Sequence, residues 1–106
     1  MIFLFFFLSQ FDIIYFMKTY HFVVSGRVQG VAFRYYTVKN AVNNRIRGTV
    51  QNLGNGDVEV YAQGDDESIK RFENFLRSGP PSARVEYLLK EEINTSELFQ
   101  GFEIIY

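Results

Sequence analysis

Ile46-Arg47-Gly48-Thr49-Val50-Gln51-Asn52-Leu53, then Gly54-Asn55-Gly56, then Asp57-Val58-Glu59-Val60-Tyr61-Ala62-Gln63, reads as one β-hairpin. An Asn-Gly pair between two extended runs is a strong hairpin signal, because the turn needs positive φ, which Asn and Gly tolerate. Upstream, from Arg34 to about Arg45, Tyr35, Val38, Ala41 and Val42 recur at helical spacing and leave Lys39, Asn40 and Asn43 for solvent, which predicts a first helix. Before it, Tyr20, Phe22 and Val24 alternate with His21, Val23 and Ser25, the period of a strand. Downstream, Asp65-Asp66 offers capping residues to a second helix whose apolar stripe is Ile69, Phe72, Phe75 and Leu76, stopped by Gly79-Pro80-Pro81. Val85 to Lys90 and Phe102 to Tyr106 are extended and apolar, separated by the polar stretch Glu91 to Gln100, and are expected to pair with each other at the sheet edge.

The order is therefore βαββαβ with a short final strand. It predicts an α+β, ferredoxin-like βαββαβ sandwich: an antiparallel sheet with two helices on one face. In this topology the third strand lies between the first and second, which run parallel to each other. Their C-terminal ends share one edge of the sheet, so Arg34 and Asn52 are expected to converge although they stand 18 positions apart.

The 106 residues suit one domain with a single core. Hydrophobic residues make up 47% and charged residues 22%, which excludes a disordered polar chain. Eleven basic residues face twelve acidic ones, and Asp12 is the one acid before Met17, so the part from Lys18 onward is formally neutral. That balance gives no footprint for nucleic acid. With no cysteine there is no disulfide or thiolate chemistry, and a single histidine leaves little for a metal cluster. The cysteine count suits a reducing compartment, and a cytoplasmic location is expected.

Residues 1–16 differ in composition: Met1 to Leu8 is wholly apolar, and the segment has no lysine or arginine. It lacks the basic start and small-residue cleavage site of a secretory signal, and Ser9, Gln10 and Asp12 interrupt it before a membrane-spanning length of roughly 20 residues is reached. The preferred expectation is an over-extended reading frame, with the true start at Met17 and the domain over 17–106. The competing one is an anchoring or interfacial segment.

The stretch that carries chemistry is Gly26-Arg27-Val28-Gln29-Gly30-Val31-Ala32-Phe33-Arg34. Two glycines around a short loop, followed by the start of a helix, suit an anion cradle: consecutive N–H groups point inward, and the helix N-terminus adds partial positive charge. Arg34 adds a planar, permanently charged fork matched to phosphate oxygens. Arginine beside a helix N-terminus is unfavourable unless an anion compensates it, so the placement favours function over a solvated helix end. Taken alone, the glycines could merely relieve strain in a strand-to-helix turn, and Asn52 would read as a turn former beside Gly54.

The same stretch resembles, nearly residue for residue, the G-R-V-Q-G-V-x-F-R signature of the acylphosphatase family. The resemblance continues through Gly48-Thr49-Val50-Gln51-Asn52, Asn55-Gly56-Asp57-Val58-Glu59, Gln63-Gly64, Gly79-Pro80-Pro81-Ser82-Ala83 and Phe102-Glu103-Ile104, so it covers about Lys18 to Tyr106. It implies an enzyme that hydrolyses the carboxyl–phosphate bond of small acyl phosphates, without cofactor or metal, as a monomer, and with no nucleic-acid or membrane partner. It also implies that Arg27, Val28, Gln29, Gly30, Val31, Ala32 and Phe33 bind the phosphate, together with the Arg34 guanidinium, and that Asn52 orients the attacking water. Because the leaving carboxylate is already stable, such hydrolysis mainly needs alignment and charge stabilisation rather than a strong base.

Thr49 stands where tryptophan is frequent in the family, Gln51 where a basic residue is common, and Ile105 where arginine often precedes the terminal tyrosine. These departures touch no implied catalytic residue and bear on substrate preference, stability and C-terminal electrostatics. Two other functions compete. An RNA-recognition domain shares the βαββαβ order, but the third strand lacks the Lys/Arg-Gly-Phe aromatic motif. A non-catalytic anion-binding domain would have no need of Asn52. His21, mid-strand with no second ligand, reads as structural or surface. Tyr20, Tyr35, Tyr36 and Tyr61 read as core or rim, and Asp65-Asp66-Glu67 as a helix-start charge cluster.

Overall fold

The computed structural model describes residues 17–106; the expectations for residues 1–16 lie outside the described residues. The elements in order are β1 (Lys18–Arg27), α1 (Phe33–Asn43), β2 (Arg47–Asn52), β3 (Val58–Gly64), α2 (Asp66–Ser78), β4 (Arg84–Ile93) and β5 (Phe102–Ile105). They form one five-stranded sheet in the order β4-β1-β3-β2-β5. The β1–β3, β1–β4 and β2–β3 pairs are antiparallel, and β2–β5 is parallel. This is the ferredoxin-like α+β sandwich that the element order predicts, short final strand included, but the parallel β2–β5 pair makes the sheet mixed rather than wholly antiparallel.

The inward face is set by strand alternation. Phe22 and Val24 of β1, Val50 of β2, and Val58, Val60 and Ala62 of β3 are fully buried and meet Ile69, Phe72 and Leu76 of α2. The rings of Phe22 and Phe72 meet edge-on with centroids 6.4 Å apart, and those of Phe72 and Phe102 at 5.8 Å. Fully burying each such side chain contributes about 1.5–3 kcal/mol.

α2 starts as its sequence dictates. Asp65 is the N-cap, its carboxylate accepts a hydrogen bond from the Ser68 N–H at 2.8 Å, and Asp66 and Glu67 follow in the first turn. The Ser68 backbone hydrogen bond holds the Asp65 carboxyl below its ordinary range, against the opposing effect of burial. A folded pKa below the unfolded one stabilises above the unfolded pKa of about 4 and is lost as the pH falls through the folded value. Asp65→Ala is thus expected to lower stability by about 1 kcal/mol near pH 7. The gap from wild type should close below about pH 4, as read by thermal melts at several pH values. A gap that persists undiminished in acid would refute the cap.

Two expectations need correction. The α1 stripe is Phe33, Thr37 and Ala41, whereas Tyr35 and Val42 are exposed. Phe33 is itself the first helical residue, and its burial rotates the helix. Small Thr37 and Ala41 then allow close approach to the sheet, with the Thr37 hydroxyl donating to the Phe33 carbonyl at 2.8 Å. In addition, β4 and β5 do not pair with each other but occupy opposite edges. Four strand spacings of about 4.8 Å separate those edges, and the eight residues 94–101 can reach about 26 Å. The linker is pinned midway by Gln63, whose amide donates to the Thr19 hydroxyl and the Glu97 carbonyl and accepts from the Phe99 N–H.

Candidate active site

Val58 of β3 opposes Val24 of β1 on one side and Asn52 of β2 on the other. That register sets the ends of β1 and β2 side by side, about two strand spacings apart. The chain leaves β1 through the loop 28–32 and enters α1 directly above this edge. A pocket of about 300 Å³ opens there, lined by Val28, Gln29, Gly30, Ala32, Phe33, Arg34 and Asn52, together with Tyr35, Ile104 and Tyr106. Seven of the nine residues singled out in the sequence therefore meet. The other two do not line the pocket: Arg27 is the exposed last residue of β1, opposite Arg84 of β4, and Val31 turns its carbonyl to the Ser82 hydroxyl, which donates to it at 3.0 Å.

The loop conformation follows from its residues. Gly30 has φ +74° and Ala32, the N-cap of α1, has φ +61°, so two left-handed residues curl the backbone around the pocket. A Cβ on Gly30 would meet nothing within 4 Å, so glycine is there for the dihedral rather than for space. Gly26 differs: it sits at a bulge against β4, where a side chain would collide with the Arg84 carbonyl.

The start of α1 contrasts with that of α2. Ala32 has no side-chain cap to offer, and the first turn contains no acid but does contain half-buried Arg34. Among the described residues, no backbone hydrogen bond in the loops and turns has its donor between Val28 and Arg34. Nor does any carboxylate form a salt bridge with Arg34. A helix N-terminus, a curled run of free N–H groups and a guanidinium thus concentrate positive potential on one pocket wall, and among the described residues no carboxylate is paired with Arg34.

Asn52 supplies a second kind of group. Strand alternation after buried Gly48 and Val50 turns it toward the helix-covered face, and its Oδ1 is buried with no hydrogen-bond partner. An unsatisfied buried carbonyl costs about 1–3 kcal/mol, so it marks a place where a donor is missing from the folded chain itself.

Gln29 joins the two halves. Its Nε2 donates to both the Leu53 and the Asp57 carbonyls, each at 2.8 Å, bracketing the turn that follows Asn52. Both side-chain donors are committed to the protein, so Gln29 positions the turn. Gln29→Met, similar in length but without donors, is expected to reduce kcat about tenfold or more while phosphate affinity changes less than about threefold. Gln29→Glu, with a carboxylate facing two carbonyls, should be worse than Gln29→Met. Equal losses of kcat and phosphate affinity in Gln29→Met would remove the positioning role.

Ile104 and Tyr106 are pocket residues that sequence reasoning missed, because β5 was expected beside β4. The β2–β5 register ends at Gln51↔Ile105, so Asn52 and Tyr106 each follow that pair by one residue and lie alongside each other. The Tyr106 ring lies over the Arg34 guanidinium, 5.3 Å from Cζ to the ring centroid. Thr49 and Gln51 alternate with buried Gly48 and Val50, and Ile105 pairs with Gln51. The three departures from the family pattern thus share the open face of the sheet, away from the pocket. His21 is on that face too, bonded to Glu59 at 2.9 Å and packed at a tilt against Tyr61, with ring centroids 4.7 Å apart.

Among the described residues, no group of three or more His, Asp or Glu is placed to hold a metal ion, and no helix is long and apolar enough to cross a membrane. The fold is that of a ferredoxin-like α+β domain, with an uncapped helix start, an arginine and an asparagine gathered around one pocket at the sheet edge. The acylphosphatase family profile matches residues 20–104. An acylphosphatase of Vibrio vulnificus (strain CMCP6) is 50% identical over 84 residues, covering 79% of this chain and 92% of the relative. The crystal structure of acylphosphatase from Bacillus subtilis superposes with a TM-score of 0.81 at 32% identity, covering 84% of this chain and 99% of that one. The structure of an acylphosphatase from Coxiella burnetii gives 0.80 at 39% identity, covering 84% and 93%. The chain belongs to the acylphosphatase family. It is an enzyme that hydrolyses acyl phosphates.

Proposed function

We propose that the loop 27–34 and the Arg34 guanidinium bind the phosphoryl group and that Asn52 holds the attacking water. The observation that carries this reading is the buried, unpartnered Asn52 Oδ1, which shares a pocket with the uncapped start of α1 and with Arg34. The phosphoryl oxygens take the free N–H groups of the loop and the planar donors of Arg34, and their charge completes an otherwise cationic wall. The Asn52 carbonyl accepts a hydrogen bond from the water, and its NH₂ is free to donate to the substrate. The water oxygen then attacks phosphorus from the side opposite the acyl oxygen. The bond from phosphorus to the acyl oxygen breaks, its electron pair leaves on the carboxylate, and the water proton passes to the phosphate released. The carboxylate is a good leaving group, so positioning and charge stabilisation supply the catalysis.

Every charge-stabilising role in this reading belongs to an N–H group or to Arg34, so turnover is expected to persist in excess chelator. The test is hydrolysis of benzoyl phosphate by the full chain with chelator present. Turnover supports the reading, whereas phosphate binding by a folded protein without turnover would reassign the site as a non-catalytic anion cradle. The same reading takes the enzyme as a cytoplasmic monomer acting on a small soluble acyl phosphate. The chain's lack of cysteine and near-balanced charge are consistent with that setting.

A further inference from the structure

We propose that Ser82, outside the pocket, is a positioning residue for the reaction: its hydroxyl, donating to the Val31 carbonyl at 3.0 Å, fixes the peptide unit between Val31 and Ala32 so that the Ala32 N–H is presented to the phosphoryl group. This rests on the reading above, in which N–H groups of the loop bind phosphate. No peptide bond among the described residues is cis, so the Val31 carbonyl and the Ala32 N–H point in opposite directions. Ser82 takes that carbonyl on the outer side of the loop: neither Ser82 nor Val31 lines the pocket, whereas Ala32 does. The Ala32 N–H therefore points away from Ser82, on the pocket side, and among the described residues no backbone carbonyl accepts it. Ala32 also holds φ +61°, a conformation unfavourable for a residue with a Cβ, so the peptide needs an external hold to stay in this orientation.

The support that carries Ser82 is itself fixed. Pro80 to Ala83 form a turn closed by the Ala83 N–H donating to the Pro80 carbonyl at 2.9 Å, with Pro81 in the second position, where its ring presets φ. Both ends are anchored, since Pro80 is buried and Ala83 packs against the core. Just before the turn, Gly79 has φ +67° and passes so close to α1 that a Cβ there would lie 3.1 Å from the Phe33 ring. The connection from α2 to β4 is thus seated on the residue that opens α1, and Ser82 stands at a set distance from the loop. The Gly79-Pro80-Pro81 segment that stops α2 therefore has a second task. Gln29 ties the loop to the β2–β3 turn, and Ser82 ties it to the α2–β4 turn.

The experiment titrates inorganic phosphate into the ¹⁵N-labelled full chain and follows the amide resonances of residues 28–34 in wild type, Ser82→Ala and Ser82→Thr, alongside kcat/KM for benzoyl phosphate. Without the hydroxyl the peptide turns over in a share of the molecules, and apparent affinity falls with the competent fraction. One neutral hydrogen bond corresponds to about two- to tenfold, so Ser82→Ala is expected to weaken phosphate binding and to lower kcat/KM by that factor. At saturating phosphate its Ala32 amide proton should reach the wild-type position, because binding restores the orientation. Ser82→Thr keeps the hydroxyl and should bind phosphate within about twofold of wild type. The bond lies at the surface, so all three proteins should melt at similar temperatures. Wild-type affinity in Ser82→Ala overturns the brace, and so does Ser82→Thr binding as weakly as Ser82→Ala. It is also overturned if the Ala32 amide ignores phosphate in the wild type while its neighbours respond, or if affinity falls only together with a large drop in melting temperature. If no amide of residues 28–34 responds in the wild type, the underlying phosphate reading fails as well.

Discussion

Arg34→Ala is expected to lower kcat/KM for benzoyl phosphate by at least about 10²-fold, the order seen when a pre-organised donor to developing charge is removed. The same change should not harm the fold. Arg34 stands in the first turn of α1, where the helix dipole is positive, and no acid in that turn compensates it. Its removal relieves a repulsion of about 0.3–1 kcal/mol, so the melting temperature is expected to stay level or rise. Activity and stability then move in opposite directions, which a general loss of structure would not produce. Arg34→Lys keeps the charge but loses the planar fork, so it should fall between alanine and wild type. Activity of Arg34→Ala within a few-fold of wild type would end the assignment.

The parts of the fold that were legible in the sequence are those whose cause is local. Asn55-Gly56 announces the β2–β3 turn because Gly56 takes φ +98°, which few residues accept, and the Asn55 side chain accepts from the Asp57 N–H there. α2 carries a strong apolar stripe within its own thirteen residues, and its cap, Asp65, directly precedes them. The parts misread have non-local causes. The face of α1 depends on Phe33, which belongs to the signature loop by sequence and to the helix by structure. Edge assignment of β5 depends on Gln63 and Gly48 holding the polar linker from a distance: the Gly48 N–H donates to the Gly101 carbonyl at 2.7 Å. Side-chain capture by one buried glutamine leaves no periodic signal.

The site divides along the same line. Convergence of the loop with Asn52 was readable because β1 and β2 both pair with β3, a consequence of element order alone. The roles within the loop were less so. Gln29 reads as one more cradle residue until its amide is seen to hold the Asn52 turn, and Ile104 and Tyr106 enter the pocket only through the parallel β2–β5 pair.

Asn52→Ala is expected to separate binding from turnover. Inorganic phosphate as a competitive ligand should bind within about twofold of wild type, because the loop N–H groups and Arg34 are untouched, while kcat falls by about 10²-fold or more. Stability again gives an independent reading. Asn52 Oδ1 accepts no hydrogen bond from the rest of the chain, so alanine breaks no intramolecular bond to that oxygen. What is lost is the packing of one half-buried side chain, so the melting temperature should change little. Asn52→Asp makes the opposite test, since it keeps the shape but sets a second negative charge against the phosphoryl oxygens. It should therefore weaken phosphate binding where alanine does not. A binding loss in Asn52→Ala as large as its loss in kcat would mean that the amide grips phosphate rather than water, and the division of labour between Arg34 and Asn52 would have to be redrawn.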